Sequence, residues 1–115
     1  MIEGRWRGTS ANAKGTTYEF QKLRHAVLHR ASGSSPIFYS VYRDAQPPWP
    51  LDLGGFPPGH PRQGKILYCI FAVDQDRMRL ACEPGGSKDT AEQKRPKAFG
   101  AAQTQEFVRE AGPSE

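Results

Sequence analysis

The sequence predicts an all-β protein folded as an eight-stranded antiparallel up-and-down barrel, with a two-sheet sandwich as the alternative architecture. About eight short runs of strand-forming residues are separated by clusters of Gly, Pro, Ser and Asp. No segment carries the pattern of a long helix. A chain of 115 residues is expected to form one domain. A barrel of eight strands is either filled by side chains or holds one small ligand, and the functional hypotheses start from that choice.

The first half of the chain predicts three strands. Residues 2–12 alternate loosely around a tryptophan, residues 23–31 alternate in two mixed faces, and residues 37–43 are rich in β-branched and aromatic side chains. Residues 15–22 are predicted to connect the first two strands, with a short helical turn over residues 18–22.

The second half predicts five more strands. Residues 51–53 form a short strand, and residues 65–73 form the strongest strand of the chain. A hairpin turn leads back through residues 77–83, where apolar and charged residues alternate as in a half-buried antiparallel strand. Two further strands are predicted over residues 95–99 and 104–111.

Composition and length limit the classes of function. The barrel domain is predicted to span residues 1–111, followed by a frayed tail over residues 112–115. The chain is 37% hydrophobic and 24% charged, which is typical of a globular domain. Its longest apolar run, Ile66–Val73, is far below the ~20 residues that cross a membrane, so no membrane span is expected. No signal peptide is expected either, and the compartment is left open.

The net charge of +4 comes from basic residues scattered along the chain. Only Lys94, Arg95 and Lys97 cluster, next to a proline. Nucleic-acid-binding domains usually concentrate Lys and Arg on one face and interleave them with aromatic side chains. Nucleic acid is therefore not an expected partner.

Six short motifs follow one another along the chain. They are Ile2-Glu3-Gly4-Arg5-Trp6-Arg7, Leu51-Asp52-Leu53, the run from Gly64-Lys65 through Ile70-Phe71 to Asp74-Gln75-Asp76-Arg77-Met78, Glu83-Pro84-Gly85-Gly86, Arg95-Pro96-Lys97-Ala98-Phe99 and Phe107-Val108-Arg109. In this order they resemble a planctomycete-type bacterial domain family of unknown function that is described as lipocalin-like. The resemblance covers nearly the whole chain. It implies a lipocalin-like barrel that can contain a ligand pocket, and it brings no catalytic residues.

The same resemblance implies how the barrel closes. Gly4 and Trp6 form the Gly-x-Trp pattern at the start of lipocalin-like barrels, and Arg109 stands on the last strand. Trp6 is expected to plug one end, with Arg109 stacked across its face in a cation–π contact worth roughly 0.5–2 kcal/mol. Gln75 stands where the family favours glycine, so a looser turn than the tight type I′ turn is expected there.

The first functional hypothesis is non-catalytic binding of a small apolar ligand inside the barrel. Tyr39, Phe71, Met78, Leu80 and His25 are the predicted lining of that site. The alternative is a structural or protein-interaction module whose barrel is filled by side chains. Aromatic and aliphatic residues in such numbers more often form a core than a pocket, and the sequence does not decide between the two.

A third hypothesis is a small barrel enzyme of the cyclase or isomerase type. His25 and His29 share one face of a predicted strand, and if that face points inward, both imidazoles enter the interior as an acid/base pair. The other interpretation is a pair of solvated histidines at the barrel rim. No third ligand accompanies them, so no metal site is expected, and no motif indicates a catalytic residue or a cofactor.

Cys69 and Cys82 lie on the two strands of one predicted hairpin and face the same side. With Gln75-Asp76 at the centre of the turn they sit directly opposite each other, and a disulfide is conceivable. With Asp74-Gln75 at the centre, as the family motif suggests, they are offset. We expect two buried free thiols that pack as small hydrophobic side chains.

Overall fold

The computed structural model describes residues 2–42, 46–60, 62–85, 95–100 and 103–110. These ranges contain no helix and eight strands. The strands are β1 (Gly4–Gly8), β2 (Thr17–Phe20), β3 (His25–Arg30), β4 (Gly33–Val41), β5 (Trp49–Gly54), β6 (Ile66–Asp74), β7 (Arg77–Gly85) and β8 (Thr104–Arg109). The predicted tail over residues 112–115 lies outside the described residues.

The eight strands form one closed antiparallel barrel in which each strand pairs with its neighbours in the sequence. The ring closes where β1 pairs with β8, with Trp6 opposite Arg109 and Gly8 opposite Phe107. Closure leaves no strand edge unpaired, which is how an up-and-down barrel avoids edge-to-edge association. The predicted fold class, an all-β barrel of the lipocalin-like, up-and-down type, is confirmed.

Alternation along the strands separates an inner face from an outer face. Inward residues are mostly aromatic or aliphatic, and their burial supplies the main driving force for folding. The buried inner face consists of Trp6, Tyr18, Phe20, Ala26, Leu28, Ile37, Tyr39, Leu51, Leu53, Leu67, Cys69, Phe71, Met78, Leu80 and Phe107.

The barrel has two ends, which we name after a residue at each. At the Trp6 end lie residues 21–24, 46–48 and 75–76, which belong to the connections there. At the Arg30 end lie residues 9–16, 31–32, 55–60 and 62–65.

Two local predictions are wrong. One missed a strand and the other predicted a strand where none forms, so the predicted number of strands still agrees with the structure. Residues 18–22 do not form a helical turn: Thr17–Phe20 is strand β2, which turns Tyr18 and Phe20 inward and pairs with both β1 and β3. Residues 95–99 do not form a strand. They lie against the outside of the barrel instead, as described below.

The hairpin between β6 and β7 also differs from expectation. Asp74 pairs with Arg77, so the turn consists of only Gln75 and Asp76. Gln75 has a positive φ of 57°, whereas Asp76 is not among the residues with positive φ. The turn is therefore as short as a type I′ turn, which contradicts the expected looser turn, but it lacks the second positive φ that type I′ requires.

Candidate functional site

Four of the five predicted lining residues do lie inside the barrel. Tyr39, Phe71, Met78 and Leu80 belong to one hydrophobic core and are between 0% and 8% exposed. They come from β4, β6 and β7, and the inward parity expected of each strand is correct. The sequence therefore identified these four positions correctly as inward-facing, whether they contact a ligand or other side chains.

The interior that these residues face is filled by side chains. Several inward side chains are completely inaccessible to solvent: Trp6, Leu51, Leu53, Cys69, Phe71 and Leu80. A void that holds even one water would leave accessible surface on the side chains around it. Rings also meet directly across the interior, since the ring centroids of Phe20 and Tyr39 lie 5.0 Å apart and those of Tyr18 and Phe107 lie 5.6 Å apart. Within the described residues these side chains belong to one hydrophobic core cluster.

His25, the fifth predicted lining residue, is on the outer face, so its assignment to the lining is wrong. β3 turns Ala26 and Leu28 inward, which places the odd-numbered positions outside. The His25 ring lies exposed against Phe38, 5.2 Å between centroids. Both faces of this strand carry apolar residues, so the alternation in the sequence did not determine which face points inward.

His29 is outside as well, where it takes part in a polar network. Its Nδ1 lies 2.7 Å from the Ser34 hydroxyl and its Nε2 lies 3.1 Å from Glu19 Oε1. Glu19 also lies 3.5 Å from the Arg5 guanidinium. The hydrogen bond from His29 lowers the pKa of Glu19, with a smaller contribution from Arg5. The two histidines therefore do not form an acid/base pair inside the barrel.

The residues predicted to close the barrel meet at the Trp6 end. The Arg109 guanidinium lies 4.2 Å from the Trp6 ring centroid and donates to the Glu3 carbonyl at 2.6 Å. The Trp6 indole donates to the Ile2 carbonyl at 2.8 Å. Gly4 has φ 125°, and a Cβ there would lie 2.7 Å from the Arg109 guanidinium, so the position requires glycine.

The cysteines form a disulfide, and the expectation of two free thiols is wrong. Cys69 and Cys82 are directly opposite partners on β6 and β7, with their Cα atoms 4.0 Å apart. This register follows from the turn centred on Gln75 and Asp76, the alternative that the family motif disfavoured. The bridge links two neighbouring strands on the inner face of the wall.

An ion pair on the outer face was not predicted. Arg95 Nη2 lies 2.8 Å from Asp52 Oδ1, and Arg95 Nη1 donates to the Cys69 carbonyl at 2.9 Å. The guanidinium also lies 5.6 Å from the Tyr68 ring. Arg95 thereby lies against the outside of β5 and β6 and beside the outward-facing Tyr68, which is buried. The only sequence signal was the Arg-Pro pair, which we interpreted as a strand.

The Arg30 end has a different electrostatic character. Tyr18 is 5% exposed, and its hydroxyl makes no hydrogen bond within the described residues. Burial raises the pKa of Tyr18, while the positive charges of Arg30 and Arg62 lower it. Burial is the largest cause that lowers the pKa of His60, and the positive charges of Arg30 and Arg62 lower it further. Arg30 and Arg62 therefore act as positive charges on both Tyr18 and His60.

A groove of about 560 Å³ opens to solvent beside Arg30. It lies between the β1–β2 connection and β3. Its lining is Arg7, Gly8, Thr9, Lys14, Gly15, Thr16, Thr17, His29 and Arg30. Sequence reasoning missed this neighbourhood because its basic residues are far apart in the chain and only the closed barrel brings them together.

Other classes of site find no support in the described ranges. No group of three His, Cys, Asp or Glu side chains there is placed to hold a metal ion. No helix in the described part of the chain is long and apolar enough to cross a membrane.

Comparison with protein-family models, curated proteins and solved structures finds no match to this chain. Membership in the lipocalin-like family therefore stays a prediction. The function has to be argued from the site alone.

Proposed function

We propose that this protein is a non-catalytic interaction module, in which the filled barrel is a rigid scaffold and the outer surface recognises a protein partner. The proposal rests on the central inward side chains. Among the described residues, Phe71 and Leu80 have no solvent-accessible surface. A barrel without an interior cavity has its surface alone for binding.

Binding of a small apolar ligand in the interior has less support. A ligand site typically has a volume of about 300–1,000 Å³. Opening such a volume means displacing several buried side chains, and removing one from a core costs about 2–5 kcal/mol. The total stability of a domain is about 5–15 kcal/mol, so two or three such displacements would exhaust it.

The enzyme hypothesis has the least support. His25 and His29 lie outside the barrel, and His29 is engaged by Ser34 and Glu19. A general acid or base needs a substrate position within hydrogen-bond reach, in a site that limits access of water. Neither imidazole is shielded from water, because His25 is exposed beside Phe38 and His29 borders a groove that is open to solvent.

Native mass spectrometry of the protein purified from cells tests the proposal. We expect the mass of the bare chain, and no rise in melting temperature across a panel of fatty acids and aromatic metabolites, because a ligand that binds only the native state would raise it. A reproducible small apolar molecule that copurifies and raises the melting temperature would overturn the filled-barrel interpretation.

A further inference from the structure

The outer wall of the barrel has a charged half and a charge-poor half. Charged side chains take many of the outward positions on β1, β2, β7 and β8: Arg5, Arg7, Glu19, Arg77, Arg79 and Glu106. In contrast, β3 and β4 turn no Lys, Arg, Asp or Glu outward. On β5 and β6 the outward charges are Asp52, which the Arg95 guanidinium neutralises at 2.8 Å, and Asp74 at the end of its strand.

The large hydrophobic side chains that are exposed in the described part of the chain lie on or beside the charge-poor half. Phe38 on β4 is 54% exposed and Ile66 on β6 is 43% exposed. Leu23 lies in the turn before β3, and Tyr42 directly follows β4. A single exposed apolar side chain is ordinary, but a group of them in a region without charge is typical of the centre of a protein interface.

Phe38, Gly54 and Ile66 form one row across β4, β5 and β6. Phe38 is the cross-strand partner of Gly54, and because Leu53 pairs with Leu67, Gly54 lies beside Ile66. Gly54 has no side chain between two large ones, so a notch lies next to the Phe38 ring. We call this row, with the outer side of β3–β6 around it, the Phe38 face.

The monomer does not itself require the notch at Gly54. A Cβ at this position would lie 3.7 Å from Ile66 Cγ1, which is ordinary contact, and Gly54 is not among the glycines with positive φ. The Phe38 ring beside the notch is held on two sides. It lies 5.2 Å from the His25 ring, and a Cβ at Gly55 would be 2.5 Å from its Cδ2 atom. A ring held in this way loses little freedom when it is covered.

A projecting ring beside a notch is self-complementary about a two-fold axis. When Phe38 of one copy fills the notch at Gly54 of the partner subunit, the reverse contact forms at the same time. Charge favours the same occupant. Each chain carries a net charge of +4, so two copies meet with the least repulsion through the half of the wall that holds the fewest charges.

The size of the Phe38 face indicates a weak dimer. Its four strands are six to nine residues long. With strands about 4.8 Å apart and a rise of about 3.3 Å per residue, the face is about 20 Å wide and about 25 Å long. Two copies would bury on the order of 1,000 Å² in total, which is the size of transient complexes rather than of permanent dimers.

We propose that the Phe38 face joins two copies of this chain in a weak, reversible, two-fold symmetric dimer, with Phe38 of each copy seated over Gly54 of the partner subunit. This inference rests on the proposed interaction function and names the partner as a second copy. Phe38 is the anchor of the interface, because a large aromatic side chain at the centre of a contact carries a large part of the binding free energy.

Sedimentation equilibrium of the full chain, from about 10 μM to about 1 mM at an ionic strength of about 0.15 M, tests the proposal. We expect the average mass to rise from one chain toward two and no further, because a two-fold interface closes on itself. Phe38→Ser should weaken the association at least about tenfold. The matched control, Val108→Ser, removes an outward apolar side chain from β8 on the charged half and should change the association less than about twofold.

Two variants at Gly54 test the symmetry. Gly54→Glu and Gly54→Lys each place like charges on both sides of the two-fold axis, so each protein alone should stay monomeric. An equimolar mixture of the two should associate, because opposite charges then face each other. Melting temperatures close to that of the wild type confirm that both variants fold, as the open position of Gly54 predicts.

Three results would overturn the inference: the mass of one chain at every concentration, equal weakening by Phe38→Ser and Val108→Ser, or a mixture of the two Gly54 variants that associates no better than either alone. Any of these leaves the filled barrel untouched if the native mass is that of the bare chain, single or paired. An apolar molecule found inside the barrel would instead remove the proposed function itself, so the two failures are distinguishable.

Discussion

The two ends of the barrel differ in the surroundings of a buried tyrosine, which is Tyr39 at the Trp6 end and Tyr18 at the Arg30 end. At the Trp6 end, the Tyr39 hydroxyl donates to the Gln21 carbonyl at 2.6 Å, and Arg109 lies over Trp6. At the Arg30 end, the Tyr18 hydroxyl has no partner within the described residues. Burial raises the pKa of both tyrosines, but Glu3 raises that of Tyr39 further while two arginines lower that of Tyr18.

This difference concerns how each tyrosine hydroxyl is satisfied. Polar groups that are buried in a fold are normally hydrogen-bonded within it, because an unpaired buried group costs free energy. The Tyr39 hydroxyl follows this rule through the Gln21 carbonyl. The Tyr18 hydroxyl makes no hydrogen bond within the described residues and is not among the buried atoms that lack a partner, so it contributes no such bond to the stability of the fold.

The largest expected effect is at the Trp6 end. Trp6→Ala removes a side chain that is 0% exposed, together with its hydrogen bond and the contact with Arg109, and should lower the free energy of unfolding by about 3–5 kcal/mol. Phe56→Ala at the other end should cost less, because its loop can relax around the gap. Urea unfolding measures both, and equal losses would show that the ends are equally rigid.

The second-largest loss of stability is expected when the disulfide in the barrel wall is removed. Replacing both cysteines, Cys69→Ala with Cys82→Ala, removes a crosslink across a sequence separation of 13 residues and should cost about 3 kcal/mol through the greater freedom of the unfolded chain. Alkylation of the unfolded wild-type protein with and without reductant checks that the bridge exists. A wild-type protein that is fully alkylated without reductant would contradict the pairing.

The two tyrosines provide the sharpest comparison at a smaller scale. Tyr39→Phe breaks a hydrogen bond and leaves the Gln21 carbonyl unpaired, so it should cost about 0.5–1.5 kcal/mol. Tyr18→Phe breaks no hydrogen bond within the described residues and should be neutral within about 0.5 kcal/mol, or stabilising. Denaturant midpoints of the two variants measure this difference. A greater loss of stability for Tyr18→Phe than for Tyr39→Phe would contradict the interpretation that, of these two hydroxyls, only that of Tyr39 is hydrogen-bonded within the described residues.

The smallest effect concerns pH. The pKa of Glu19 is lowered from its ordinary value of 4.5, chiefly by the hydrogen bond from His29. A depressed carboxyl pKa stabilises the fold above the unfolded value, and this stabilisation is lost as pH falls through the folded value. Glu19→Gln should therefore flatten the decline in stability below about pH 4.5. Unfolding curves of wild type and variant across acid pH measure it, and unchanged slopes would contradict the pairing.

The sequence predicted the barrel because alternation, turn residues and the Gly-x-Trp start all indicate the same architecture. It did not predict strand β2, whose four residues follow a glycine-rich connection, or the outward face of His25, because both faces of β3 contain apolar residues. The disulfide depended on a one-residue choice of turn centre. The groove beside Arg30 is lined by residues from distant segments of the chain, which local patterns do not encode.

A crystal of the protein held under xenon pressure tests the filled interior most directly, because xenon enters apolar cavities too small or too dry for other probes. We predict no xenon between Phe71, Met78 and Leu80, since these side chains are at most 1% exposed. Ordered xenon at that position would contradict the account and restore the interior as the binding site.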